Sequence, residues 1–233
     1  MSSFDDISAA YDGARIIPQS AYERLKSCLA DSGILKTGDK VADVGCGTGR
    51  FIPLLSDACG EVTGIDISPR MLAIAGEKTR DRNNATMILG NATGRLDVPN
   101  EYFDTAFSSK LLIHLEEWRK AVREIWRITK NEGYFVHVNE SGLFNNSVRR
   151  KFRSICVKSN YPSGFRGEVD YDQITVELAK NGCELISPNC EPVEWDHEIS
   201  HRKAFREIES HSFAEFNSLS DNGTDRFAFS IWP

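Results

Sequence analysis

Apolar residues along this chain keep switching between a helical and an extended rhythm, and the switches mark out its elements. Tyr22, Leu25 and Leu29 recur at helical spacing. They predict a helix over Ser20 to Asp31, preceded by a shorter helical segment around Phe4 to Tyr11 and closed by Gly33 and Gly38. Val41, Ala42 and Val44 then form a short apolar strand, followed by glycines at alternate positions and a helix-compatible run from Arg50 to Ala58. A second strand, EVTGID, ends at Asp66; Ser68 and Pro69 are a serine cap and a first-turn proline. The helix they start should run to about Arg80 and bury Met71, Leu72 and Ala75. Further strands are expected over Thr86 to Leu89, Phe103 to Phe107 and Tyr134 to Val138. Between the last two lies a helix with an inward stripe of Trp118, Val122, Ile125, Trp126 and Thr129.

Beyond Val138 the pattern loosens. Phe144, Val148, Phe152 and Ile155 share one helical face, with Arg149, Arg150, Lys151 and Arg153 around it, a charge run of the kind that usually faces solvent. A helix over Asp172 to Asn181, a strand over Glu184 to Ile186, a helical stretch over Ser200 to Leu219 and a final strand RFAFSIW complete the chain.

Composition narrows the function classes. With 233 residues, 40% of them hydrophobic, the chain can build one domain with a substantial core. A net charge of −6 and pI near 5.5 disfavour a nucleic-acid or membrane-surface partner, since both need a basic face. The start, MSSFDDISAAYDG, lacks a signal-peptide pattern and no apolar run reaches membrane-spanning length, so a cytoplasmic protein is expected. The six cysteines form no C-x-x-C pair and no metal-ligating spacing, which favours free thiols and no metal.

The chemistry concentrates in VADVGCGTGRF, residues 41–51. Glycine lets the backbone turn tightly there and still admit a ligand at van der Waals distance, and the following helix start suits an anionic group. The glycines read G-x-G-x-G, with Asp43 two positions before the first, rather than the G-x-G-x-x-G of dinucleotide enzymes. Asp66 lies about 20 residues after the loop, where doubly wound nucleotide folds place an acid for the ribose hydroxyls.

These features resemble motif I and the following acid of class I S-adenosylmethionine-dependent methyltransferases. Gly90-Asn91-Ala92, Phe103-Asp104 and the post-strand segment with His114 extend the resemblance to about Val138. It implies an α/β, Rossmann-like, seven-stranded and mostly parallel sheet with helices on both faces, in a single domain. Residues 1–37 would be a helical lid, 38–140 the cofactor core, and 141–233 a cap inserted after the fifth strand plus C-terminal strands. It further implies S-adenosylmethionine as cofactor, held by Asp43, Gly45, Cys46, Gly47, Gly49, Asp66, Ile67, Met71, Asn91, Ala92 and Ser108. Asn91 stands where many members have an acid that accepts from the adenine amino group; its side-chain oxygen can do the same.

Substrate contacts are expected from Tyr11 and Arg15 of the lid and from Tyr161 and Arg166 of the cap. Asn139 and Glu140, at the carboxyl end of the fifth strand, join them. His114 is the candidate base, needed only if the acceptor must lose a proton, and anchoring of its helix is its alternative role. A small-molecule acceptor is the leading reading. RNA or protein methylation is the second, and no Asn/Asp-Pro-Pro-Tyr motif follows the fourth strand, where Ser108, Ser109 and Lys110 stand. A non-catalytic cofactor-binding protein and a nicotinamide oxidoreductase are the others.

Overall fold

In the computed structural model the described residues are Ser8, Tyr11, Asp12, 17–138, Ser154, Ile155, Lys158, 171–184, Ile186 and Val193. Helix α1 spans Gln19–Asp31 and is followed by β1 (Lys40–Val44), α2 (Ile52–Ala58), β2 (Glu61–Asp66), α3 (Pro69–Thr79) and β3 (Ala85–Leu89). Then come β4 (Phe103–Ser109), a 3₁₀ turn (Leu112–His114), α4 (Trp118–Ile128), β5 (Thr129–Val138) and α5 (Tyr171–Lys180). The five strands form one sheet in the order β3-β2-β1-β4-β5, with every neighbouring pair parallel. The chain moves outward from β1 to β3, then returns to pair β4 with the other side of β1. The order therefore reverses between β1 and β4, the place where an open α/β sheet binds its ligands.

Both faces of the sheet are covered. On one, Ala42, Val44, Ile65 and Ala106 pack with Trp118, Val122 and Ile125 of α4 and Ile174 of α5. On the other, Val41, Val62 and Phe107 pack with Leu29 of α1 and Ile52 and Leu55 of α2. A strand covered on both sides loses polar alternation, which is why Val41 to Val44 read as an almost unbroken buried run. Alternation still decides where Asp43 goes: it shares the face of Val41 and pairs in register with Gly64 and Phe107.

Several expectations are corrected. Helix α2 begins at Ile52 rather than Arg50, and β5 begins at Thr129, so the KNEG connector belongs to the strand. Trp126 is 53% exposed: the buried stripe of α4 is Trp118, Ala121, Val122, Ile125 and Ile128, and residue 126 is rotated about 100° from Ile125. Five strands are described where seven were expected. Glu184 and Ile186 lie in no strand, and the RFAFSIW segment, like most of the cap, lies outside the described residues. Cys46, Cys59 and Cys183 are free, but Cys28 of α1 is disulfide-bonded, against the expectation of free thiols. A bridge joins cysteines that the fold brings together, which spacing cannot reveal. Among the described residues no helix is long and apolar enough to cross a membrane, and no His/Cys/Asp/Glu group is arranged for a metal.

Candidate functional site

The glycine loop leaves the carboxyl end of β1 and stays tied to β2, because the amides of Gly45 and Cys46 both donate to the Ile65 carbonyl at 2.7 and 3.1 Å. Its turn closes through Gly49 N–H donating to Cys46 O at 3.0 Å. Gly49 has φ of +73°, and a Cβ there would lie 2.9 Å from Ala75 Cβ and 3.1 Å from Ala75 Cα, so only glycine lets the loop sit on α3. At Gly47 an added Cβ would meet nothing within 4 Å, which makes the loop apex its open side.

Asp66, at the end of β2, faces this loop. Its two oxygens accept from Gly47 N–H and Ser68 N–H, each at 2.9 Å. Ser68 in turn caps α3 by accepting from Met71 N–H at 3.1 Å, so one short segment fixes the acid, the loop and the helix start together. Beside them Ile67 is 49% exposed, an apolar surface next to a carboxylate, while Met71 is fully buried.

Asp43 lies beneath the loop, 1% exposed, and its Oδ2 has no hydrogen-bond partner among the described residues. Burial, and then the neighbouring Asp66 carboxylate, push its carboxyl up to about 8 against the opposing pull of Arg50. Burial pushes the Cys46 thiol up as well, with Asp43 and Asp66 adding to it, so this cysteine is an inert space-filler.

The remaining positions are divided. Asn91 is exposed, but its Oδ1 already accepts from the amide and hydroxyl of Thr93 at 3.0 and 2.9 Å, a local turn that engages the expected adenine acceptor. Ala92 is buried in the core. Ser108 is fully buried and its Oγ pairs with His137 Nδ1 at 2.9 Å, opposite in register on β5, so it faces a histidine rather than open space. Burial pushes that histidine down to about 4, which keeps it neutral at physiological pH.

His114 is half-buried and closes the 3₁₀ turn through its own N–H to Leu111 O at 3.0 Å. Just before it, at the carboxyl end of β4, Ser109 Oγ is buried without a partner among the described residues. Next to it Lys110 is 8% exposed in the left-handed region, its N–H donating to Val138 O at 3.2 Å. Tyr11 is half-buried in a turn, and Arg15, Asn139, Glu140, Tyr161 and Arg166 lie outside the described residues.

Sequence reasoning missed Asp12, Thr48 and Lys78. Thr48, in the glycine loop, donates from Oγ1 to Asp12 at 2.6 Å, while Lys78 of α3 donates both to Asp12 and to the Thr48 carbonyl at 2.9 Å. Partners 36 and 66 residues apart leave no periodic signal.

The Asp66 carboxylate beside an open glycine loop, with the neutral Asp43 carboxyl buried beneath it, suits a nucleoside whose other end is cationic. S-adenosylmethionine, with its ribose hydroxyls, sulfonium and ammonium groups, fits that donor set. Residues 42–137 match the model of a methyltransferase domain family. A demethylmenaquinone methyltransferase of Staphylococcus aureus is 34% identical over 143 residues, covering 59% of this chain and 58% of the relative. The chain thus spans less than two thirds of the curated relatives it matches.

Among solved structures, the PH0226 protein of Pyrococcus horikoshii is similar with a TM-score of 0.51 and 26% identity, covering 66% of this chain and 71% of that one. The YcgJ protein of Bacillus subtilis shares the fold at TM-score 0.54 and 21% identity, covering 70% and 68%. The glycine loop, its acid at the end of β2, the parallel sheet and the matched domain point the same way: over residues 42–137 this chain is similar to a methyltransferase domain.

Proposed function

We propose that this chain transfers a methyl group from S-adenosylmethionine to a small-molecule acceptor of quinone type, in its reduced, hydroxyl-bearing form. The observation that carries the reading is the pair of carboxyl groups, Asp43 and Asp66, set around an open glycine loop at the point where strand order reverses. The acceptor class is supported by the curated relatives that bear the name demethylmenaquinone methyltransferase.

In this reading Asp66 accepts from the ribose hydroxyls, Gly45, Gly47 and Gly49 let the backbone approach the cofactor, and Ile67 offers an apolar surface to the adenine. With the Asn91 oxygen engaged by Thr93, the adenine edge falls to the Ala92 backbone. When bound, S-adenosylmethionine supplies an electrophilic methyl on a sulfonium. The chain's own part is to hold the acceptor in line and keep water out, and alignment of this kind can lower a barrier by about 7 to 11 kcal/mol. In this reading the acceptor binds at the carboxyl ends of β4 and β5, and Tyr11, Arg15, Asn139, Glu140, Tyr161 and Arg166 remain its proposed contacts.

The test is calorimetry with S-adenosylhomocysteine and with NAD, followed by transfer of labelled methyl from S-adenosylmethionine to a reduced naphthoquinone, with RNA and protein as competing acceptors. Binding of NAD in place of S-adenosylhomocysteine would sink the reading. Labelling of RNA or protein alone would correct the acceptor.

Two substitutions probe the roles. Asp66→Ala should weaken S-adenosylhomocysteine binding by about 1.5 to 3 kcal/mol, about 10- to 150-fold in Kd. An unchanged Kd removes Asp66 from the site. His114 is the candidate base because its 3₁₀ turn follows directly on the carboxyl end of β4. His114→Asn should lower kcat at least about 100-fold while cofactor affinity and Tm are kept. Loss of Tm first would make the residue an anchor of the turn.

A further inference from the structure

The turn that carries Asp12 meets the glycine loop at a three-way junction. Thr48 stands between Gly47 and Gly49 and is 1% exposed, yet its hydroxyl and its carbonyl are both spoken for from outside the loop, by Asp12 and by Lys78. Lys78 also reaches the second oxygen of Asp12, so one carboxylate joins the N-terminal segment, the loop apex and the last turn of α3. The Asp12 and Lys78 side chains are 42% and 34% exposed, so water competes for this ion pair, whereas Thr48 is sealed.

On the loop's inner side Gly47 N–H is held by Asp66. The loop is therefore fixed from two sides: by Asp66 within the core and by Asp12 from the N-terminal segment. Loss of the Asp12 carboxylate from this junction releases the Thr48 hydroxyl and one of the two Lys78 contacts together.

We infer that Asp12 is a positioning residue for the cofactor loop, clamping Thr48 directly and together with Lys78 so that this junction sets how long the cofactor stays bound. This rests on the reading of the loop as the S-adenosylmethionine site. A pre-set loop has no ordering cost left to meet on binding, so loss of the clamp shows mainly in the dissociation rate.

The experiment measures association and dissociation rates of S-adenosylhomocysteine by stopped-flow fluorescence on the full chain, with Tm alongside. Asp12→Ala and Lys78→Met should each raise the dissociation rate roughly fivefold to tenfold with Tm nearly unchanged. The double variant should fall short of the product of the two single effects, because both remove the shared Asp12–Lys78 contact. Asp12→Asn, which can still accept from Thr48, should recover part of the residence time and lose the salt dependence that the wild-type ion pair imparts.

Unchanged dissociation rates in Asp12→Ala, or effects that simply add in the double variant, overturn the inference and leave the cofactor site standing. Failure of the wild-type chain to bind S-adenosylhomocysteine overturns the site reading and the clamp with it.

Discussion

Gly49→Ala should destabilise the protein by about 2 to 5 kcal/mol, adding the roughly 1–2 kcal/mol of a left-handed alanine to the roughly 1–3 kcal/mol of an overpacked contact. The contact is with Ala75 Cβ and Cα, at 2.9 and 3.1 Å from the added methyl, and backbone of α3 cannot swing aside as a long side chain would. In a chain of this length the loss should lower Tm by roughly 5 to 15 °C in a thermal melt. Gly47→Ala is the control: φ is +55° but nothing lies within 4 Å of the new methyl, so only the conformational cost of about 1–2 kcal/mol applies. If Gly47→Ala proves as damaging as Gly49→Ala, packing against Ala75 is not what makes glycine necessary there.

Asp43→Asn should change how stability depends on pH. The Asp43 carboxyl is pushed up from 3.8 to about 8 by burial and by Asp66, so between those values the folded chain keeps a proton that the unfolded chain has released. Wild-type stability therefore carries a penalty that grows by about 1.4 kcal/mol per pH unit through this window and levels off above pH 8 or so. Asparagine, neutral throughout, carries no such penalty. Other groups move in the opposite sense: Lys130 and the Lys40 amide hold the Asp104 carboxyl below its usual range, and Arg127 does so for Glu124. Their stabilisation is present above the ordinary carboxylate range and fades as pH falls through it, equally in both proteins, so it cancels in the comparison. Denaturant melts of the ligand-free proteins should show the difference between variant and wild type rising from pH 5 to 7.5. A difference that stays flat would mean that Asp43 is ionised in the fold.

The Asp66 reading shows how far spacing can reach. A strand ending in an acid about 20 residues after a G-x-G-x-G turn is a local pattern, and the fold places that acid on the Gly47 amide. Ser68 was equally legible, since a cap acts within three residues and needs no knowledge of the rest of the chain. Trp126 was not. A tryptophan one position from a buried isoleucine satisfies a loose apolar stripe, and only the placement of α4 against the sheet shows that it faces outward. The local engagement of the Asn91 oxygen was not read from the sequence, although its donor, Thr93, stands only two residues on.

By itself the sequence determined the strands and helices from α1 to β5, apart from their bounds, and where the loop and its two acids fall, because periodicity, capping and turn chemistry act over a few residues. Tertiary structure alone decided that β4 returns beside β1, that Ser108 meets His137, that Asp43 is buried with one oxygen unpaired among the described residues, and that Asp12 reaches Thr48. Such pairings join residues tens of positions apart. Their energies come from desolvation and packing in the assembled core, and that environment exists only once the whole sheet has formed.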